Sequence, residues 1–114
     1  MKGENLFMPR AKADVDAQVF WFAKRSHELA LRFLEAAQGT ALEIAQNPDS
    51  GSIYDDDYVG TQRTIRYRKV EGFPNHLMYF VSQPDGMRIL RVLHSARRIT
   101  ASMIQDDWSM IQDD

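Results

Sequence analysis

Val70-Glu71-Gly72-Phe73-Pro74-Asn75-His76-Leu77-Met78-Tyr79-Phe80 leads, through the turn residues Pro84-Asp85-Gly86, into Met87-Arg88-Ile89-Leu90-Arg91-Val92-Leu93-His94-Ser95-Ala96-Arg97-Arg98. Both runs are rich in branched and aromatic side chains and are bounded by Gly, Pro, Asn and Asp, the pattern of strands joined by tight turns. His76 to Ser82 is nearly all apolar, as a central strand covered on at least one face should be. Met87 to His94 is apolar with interspersed Arg. Upstream, Arg63 to Val70 alternates and forms a third strand. Short connections at Glu71–Asn75 and Gln83–Gly86 predict antiparallel neighbours.

Outward from this meander, Pro9 suits the first position of a helix, where its missing N–H costs nothing. Ala11, Val15, Val19 and Phe22 then recur at helical spacing, with Trp21 at the margin of that stripe. Ser26 reads as the N-cap of a second helix. That helix is carried by Leu29, Phe33, Ala37, Ala41 and Ile44, widened by Ala30 and Leu34, and it stops near Gln46 before Asn47-Pro48. Gly39 inside it suggests a close backbone approach. Residues 4–8 suggest a short edge strand. Residues 47–62 read as an acidic, turn-rich loop; Asp55-Asp56-Asp57 lacks calcium-loop spacing and predicts no metal.

The expectation is therefore an α+β fold: a short N-terminal strand, then an α-helical hairpin packed on an antiparallel sheet whose last three strands form a meander. Placing Ile65 and Tyr67 toward the helices sends Arg66 and Arg68 to the opposite face. On the last strand Leu90 and Val92 are expected to face the helices and Arg91 not, although Ile89 and Leu93 give the reverse register comparable support. Arg66, Arg68 and Arg91 would then share one uncovered sheet face, with Arg97 and Arg98 just past its end.

Charge is segregated along the 114 residues. Residues 1–62 carry a balance of −4, residues 63–98 one of +6 and residues 99–114 one of −4, within a total of −2. Seven of the eight cations in the central stretch are Arg, which suits fork-like recognition of carboxylate or phosphate. Such segregation predicts a surface that meets an acidic partner. The chain has no cysteine, which excludes disulfides and thiolate chemistry. No apolar run approaches the ~20 residues of a membrane span, and the first residues lack a secretory pattern. The expected setting is the cytoplasm, with no cofactor. Ser102-Met103-Ile104-Gln105-Asp106-Asp107 repeats as Ser109-Met110-Ile111-Gln112-Asp113-Asp114, with Trp108 between them. One domain is expected over residues 1–99, followed by an acidic tail at 100–114 that is disordered or folds back on the basic face.

The ordered pattern resembles the ParE/RelE superfamily of bacterial type II toxins. Ala11 with Asp14 and Phe22-Ala23 resembles its first helix. Ala30-Leu31-Arg32-Phe33-Leu34 resembles its second, and Pro48 with Gly51 its P-x-x-G loop. Phe73-Pro74-Asn75-His76-Leu77 and Ile89-Leu90-Arg91-Val92-Leu93-His94-Ser95-Ala96-Arg97 resemble the strand motifs of the ParE branch. The chain departs from them at Ser95, where the family usually has glycine, and at Arg98, where it usually has an acid.

The ParE resemblance implies a toxin of a plasmid-stabilisation system that inhibits DNA gyrase by binding it and is neutralised by a cognate antitoxin. The RelE branch implies the alternative, a ribosome-dependent mRNA endonuclease. A non-toxic degenerate homologue is the third reading. In-line cleavage of RNA needs a base, an acid and clustered cations. His94 is the one acid–base candidate in the basic stretch, with Arg66, Arg68, Arg91, Arg97 and Arg98 as its cations; there is no Tyr after position 79 and no Lys after position 69. The gyrase-binding class is favoured on that ground. Trp21 and Phe22 on the first helix are the antitoxin-contact candidates that the resemblance implies.

Overall fold

The first helix, α1 (Pro9–Ala23), begins where Pro9 fixes φ and ends at Lys24. Ala11, Val15 and Phe22 form its buried stripe. In α2 (His27–Gln46), the Ser26 side chain accepts the N–H of Leu29 at 3.1 Å, the capping bond that an N-cap serine supplies. Ala30, Phe33, Ala37, Thr40, Ala41 and Ile44 are its buried face. In this computed structural model, residues 6–54, 64–84 and 86–95 are described. The remaining stretches include Arg63, the aspartate run, Arg97, Arg98 and the repeated tail, so the expectations placed on them lie outside the described residues.

Among the described residues, four antiparallel strands follow in sheet order β1-β2-β3-β4: β1 (Ser52–Ile53), β2 (Ile65–Val70), β3 (Phe73–Gln83) and β4 (Gly86–His94). The last three are the predicted meander. β1 falls where the sequence suggested only loop, because two residues leave no readable periodicity. Of the expected N-terminal strand, the described residues show one parallel bridge, Phe7 to Ile89. The result is an α+β fold, a helical hairpin on an antiparallel sheet.

Two irregularities decide the faces. In β4, Tyr79 pairs with Arg91 but Phe80 pairs with Ile89, so Leu90 is an extra residue. A bulge of this kind reverses the in/out alternation beyond it. Met87, Ile89 and Val92 consequently join the helix-side core with Met78, Phe80 and Val70. Leu90 and Leu93 pack on the other face with Ile65, Tyr79 and Val81. At the far end of β3, Lys69 pairs with Leu77 but Val70 pairs with Phe73. Pro74, which has no N–H to give to a ladder, sits inside that irregularity.

These faces correct the expected orientation. Ile65 and Tyr67 lie on the face away from the helices, where Tyr67 and Tyr54 pack against the buried cluster. Arg68 turns toward α2 and donates to Glu43 at 2.6 Å. Arg66 pairs with Phe80, a helix-side residue. Leu90 faces away from the helices, whereas Val92 faces them as expected. The physical reason is that both faces of this sheet bury apolar side chains, so the apolar set of β2 did not have to meet the helices. The far face is aromatic and aliphatic, with the Tyr54, Tyr67 and Tyr79 rings 5.6–6.4 Å apart.

Two glycines behave oppositely. Gly51 has φ +92°, and a Cβ there would lie 2.9 Å from the Tyr67 carbonyl oxygen. Gly39 has ordinary helical φ and nothing within 4 Å of its Cβ position, so the expected close approach is absent. Gly39→Ala should raise stability by about 1 kcal/mol, the intrinsic difference in helix propensity. Gly51→Ala should lower it by about 1 kcal/mol or more, since alanine is strained at positive φ and meets backbone. Urea unfolding of the two variants checks both signs.

Candidate functional site

Asp14, Ala17, Gln18, Trp21 and Phe22 project from one side of α1 at helical spacing and form one wall of a groove of about 670 Å³. Residues 72–76, at the start of β3, and residues 92–94, at the end of β4, form the other wall. The volume is that of a small-ligand or side-chain site.

Three interactions fix the walls. The Asp14 carboxylate accepts Nε of Arg91 at 2.7 Å, a terminal guanidinium nitrogen of Arg91 at 2.9 Å and the backbone N–H of Val92 at 3.0 Å. The Asp14 and Arg91 side chains are only 14% and 10% exposed, so the pair is largely withdrawn from water. The expectation that Arg91 belongs to an open basic face is corrected here: it follows the bulge and is clamped to α1. At the opposite end, buried Thr40 of α2 accepts the N–H of Glu71 at 3.1 Å and ties down the β2–β3 turn. Gly72 supplies the positive φ in that turn, +82°. Beyond the last strand pair, the Ser95 N–H donates to the Asn75 carbonyl at 2.7 Å and holds the β3 and β4 ends together.

His76 lies in the groove wall. It is 8% exposed and surrounded by aromatic rings, with Phe33 at 5.1 Å, Phe22 at 6.0 Å and Phe73 at 6.4 Å between centroids. Its cross-strand partner is His94, 5.5 Å away between centroids. Both ring nitrogens of His76 are buried and have no hydrogen-bond partner among the described residues. Such groups cost about 1–3 kcal/mol each when left unmet, and His76 is one of the residues that line the groove. Burial pushes the His76 pKa below the ordinary value of 6.5, and His94 adds to the shift in the same direction. His76 is held as the neutral imidazole.

The other predicted residues fall in separate places. Arg68 and Arg66 are on the helix side of β2, and Arg68 is engaged with Glu43. His94 is exposed at the end of β4 and lines the groove. Trp21 is 46% exposed with the Arg25 guanidinium 3.6 Å over its ring, whereas Phe22 beside it is buried in the core. The groove walls contain no Lys or Arg among the described residues. Sequence reading overlooked His76 as a site residue. Counting the ladder back from the Gln83–Gly86 pair opposes His76 to Leu93; the extra Leu90 moves the pairing to His94. The cluster of histidines was therefore hidden by one inserted residue. Thr40 was overlooked because it looked like a gap in an apolar stripe.

A helical hairpin against an antiparallel meander, with an N-terminal segment bridged to the last strand, is the architecture of the RelE/ParE-like toxins. The family model for the ParE toxin of the type II toxin–antitoxin system parDE matches residues 6–99, and the chain belongs to that family. No curated protein matches the chain.

Because His76 has a lowered pKa in the folded protein, the unfolded chain takes up its proton first as pH falls. The stabilising effect of the neutral ring is complete above pH 6.5 and is lost progressively as pH drops from 6.5 toward the lower folded value. Urea unfolding in the presence of a chelator should show stability falling over that interval. The His76→Phe variant should show a shallower fall; an unchanged slope would remove His76 as the cause.

Proposed function

We propose that this chain is a toxin that acts by binding DNA gyrase in the cytoplasm and is neutralised by a cognate antitoxin. The family assignment supports the toxin role. The observation that favours binding over RNA cleavage is the distribution of the cations. Arg68 and Arg91 are each committed to a carboxylate on a helix, and the groove that holds both strand-end histidines has no Lys or Arg in its walls among the described residues. Cleavage by a 2′-hydroxyl would place growing negative charge on a phosphate, and a groove whose described walls carry an aspartate and no cation offers that charge little stabilisation. His94 as a nuclease acid or base would have no cation from the described groove walls to work with.

Contact with an antitoxin is supported by the helical hairpin, where Phe20, Trp21 and Leu31 are large apolar side chains left exposed. Contiguous exposed apolar surface marks protein contacts, and tryptophan is enriched at the energetic centres of such contacts. Trp21 is the contact residue of choice, because its ring is held in place by Arg25 and lines the groove. Phe22 would act through the shape of the groove rather than by direct exposure. Arg66, Arg97 and Arg98 remain the proposed contacts for an acidic partner surface, alongside the outward part of Arg68. No helix among the described residues is long and apolar enough to cross a membrane.

Expression without an antitoxin should arrest growth and induce DNA damage, and the purified protein should inhibit gyrase supercoiling while leaving ribosome-bound mRNA intact. Cleaved mRNA with normal supercoiling would establish the nuclease instead. Unimpaired growth at full expression would establish a non-toxic homologue.

A further inference from the structure

His76 and His94 sit directly opposite each other on β3 and β4. The bond from the Ser95 N–H to the Asn75 carbonyl, 2.7 Å long, flanks this pair. A bond between the residue after one partner and the residue before the other defines the non-hydrogen-bonded type of antiparallel pair. In that type Cα atoms approach to about 4.5 Å and the two side chains lie on the same face at closest range. The ring centroids are 5.5 Å apart and the ring planes are inclined at 82°.

Two imidazoles on one tetrahedral ion would have that spacing. A metal–nitrogen bond of about 2.1 Å plus roughly 1 Å from ring nitrogen to ring centre puts two such centroids roughly 5 Å apart. The second, independent observation is the state of His76: more than nine-tenths buried, with neither ring nitrogen hydrogen-bonded to any group among the described residues. A neutral imidazole carries one lone pair and one N–H. The surrounding Phe22, Phe33 and Phe73 rings can satisfy neither, and His94 is the other imidazole packed against the ring.

We propose that His76 and His94 form a two-histidine site for a late first-row divalent cation of the zinc and nickel class. Imidazole ligands favour these ions, whereas hard cations prefer carboxylate and carbonyl oxygen. The remaining coordination positions open to the groove and are filled by water, which makes the site exchangeable and lets a partner's side chain complete it. Bound there, the ion ties the outer ends of β3 and β4 together across from α1. Because it binds the folded chain in preference to the unfolded one, it stabilises the fold in a concentration-dependent way.

The test is isothermal titration of the full-length chain with zinc chloride and, separately, nickel chloride at pH 7.5, alongside thermal unfolding. The expected result is saturable binding of one ion per chain and a rise in melting temperature with ion concentration. His94→Ala, at an exposed strand end, should abolish both, as should His76→Phe. His27→Ala should retain both, and magnesium chloride should produce neither. Absence of saturable zinc or nickel binding in the unaltered chain would overturn the proposal. So would binding that persists in His94→Ala, because that would place the ion elsewhere. His94→Ala decides the matter even where His76→Phe fails to fold.

Discussion

The arrangement turns on one carboxylate. Asp14 projects from the second turn of α1 and holds both the side chain of Arg91 and the backbone N–H of Val92. A carboxylate can accept this many bonds only if helix and strand meet at one separation and one rotation. Apolar packing alone tolerates sliding; a two-pronged contact with a guanidinium does not. The bonds also solve a problem of the sheet. β4 is an edge strand, and its outward N–H and C=O groups invite pairing with another chain. Val92 gives its N–H to Asp14, and Ile89 gives its carbonyl to the N–H of Met8. The start of the chain and its first helix thus close the edge that they pack against.

Several features of the groove follow from that contact. With α1 fixed at Asp14, its Trp21 and Phe22 end is carried over the β2–β3 turn, and Phe22 comes to pack on His76. Thr40 holds the turn from the side of α2. His76 is thereby enclosed among aromatic rings instead of pointing into water. The bulge at Leu90 is the other requirement. Without the inserted residue, His76 would oppose Leu93, and Arg91 would take the place of Val92 in the ladder. One extra residue therefore creates the histidine pair and puts Val92, not Arg91, opposite Met78.

Much of the architecture was legible in the sequence. Pro9, Ser26 and the 3.6-residue stripes fixed both helices, because local chemistry at helix ends is strong. Gly72 and Gly86 marked the hairpin turns. The faces of the sheet were harder to read. Alternation in β2 separates Ile65 and Tyr67 from Arg66 and Arg68, but it says nothing about which set meets the helices when both faces are covered. On β4 a continuous run of apolar residues conceals the bulge, so Arg91 and Leu90 could not be placed. The charge segregation was real as composition. In space it is divided, since Arg68 and Arg91 are drawn to Glu43 and Asp14 on different helices, residues distant in sequence that no local pattern links to them.

A double-mutant cycle on Asp14→Ala and Arg91→Ala, read by urea unfolding, tests most directly whether this carboxylate anchors the fold. Each single variant should lose about 3 kcal/mol, because each takes from a nearly buried charge the opposite charge that it bonds. The double variant should lose clearly less than the sum, with a coupling of about 1–3 kcal/mol. Additivity to within about 0.5 kcal/mol would mean that the two residues act independently, and the anchoring role assigned to Asp14 would be contradicted.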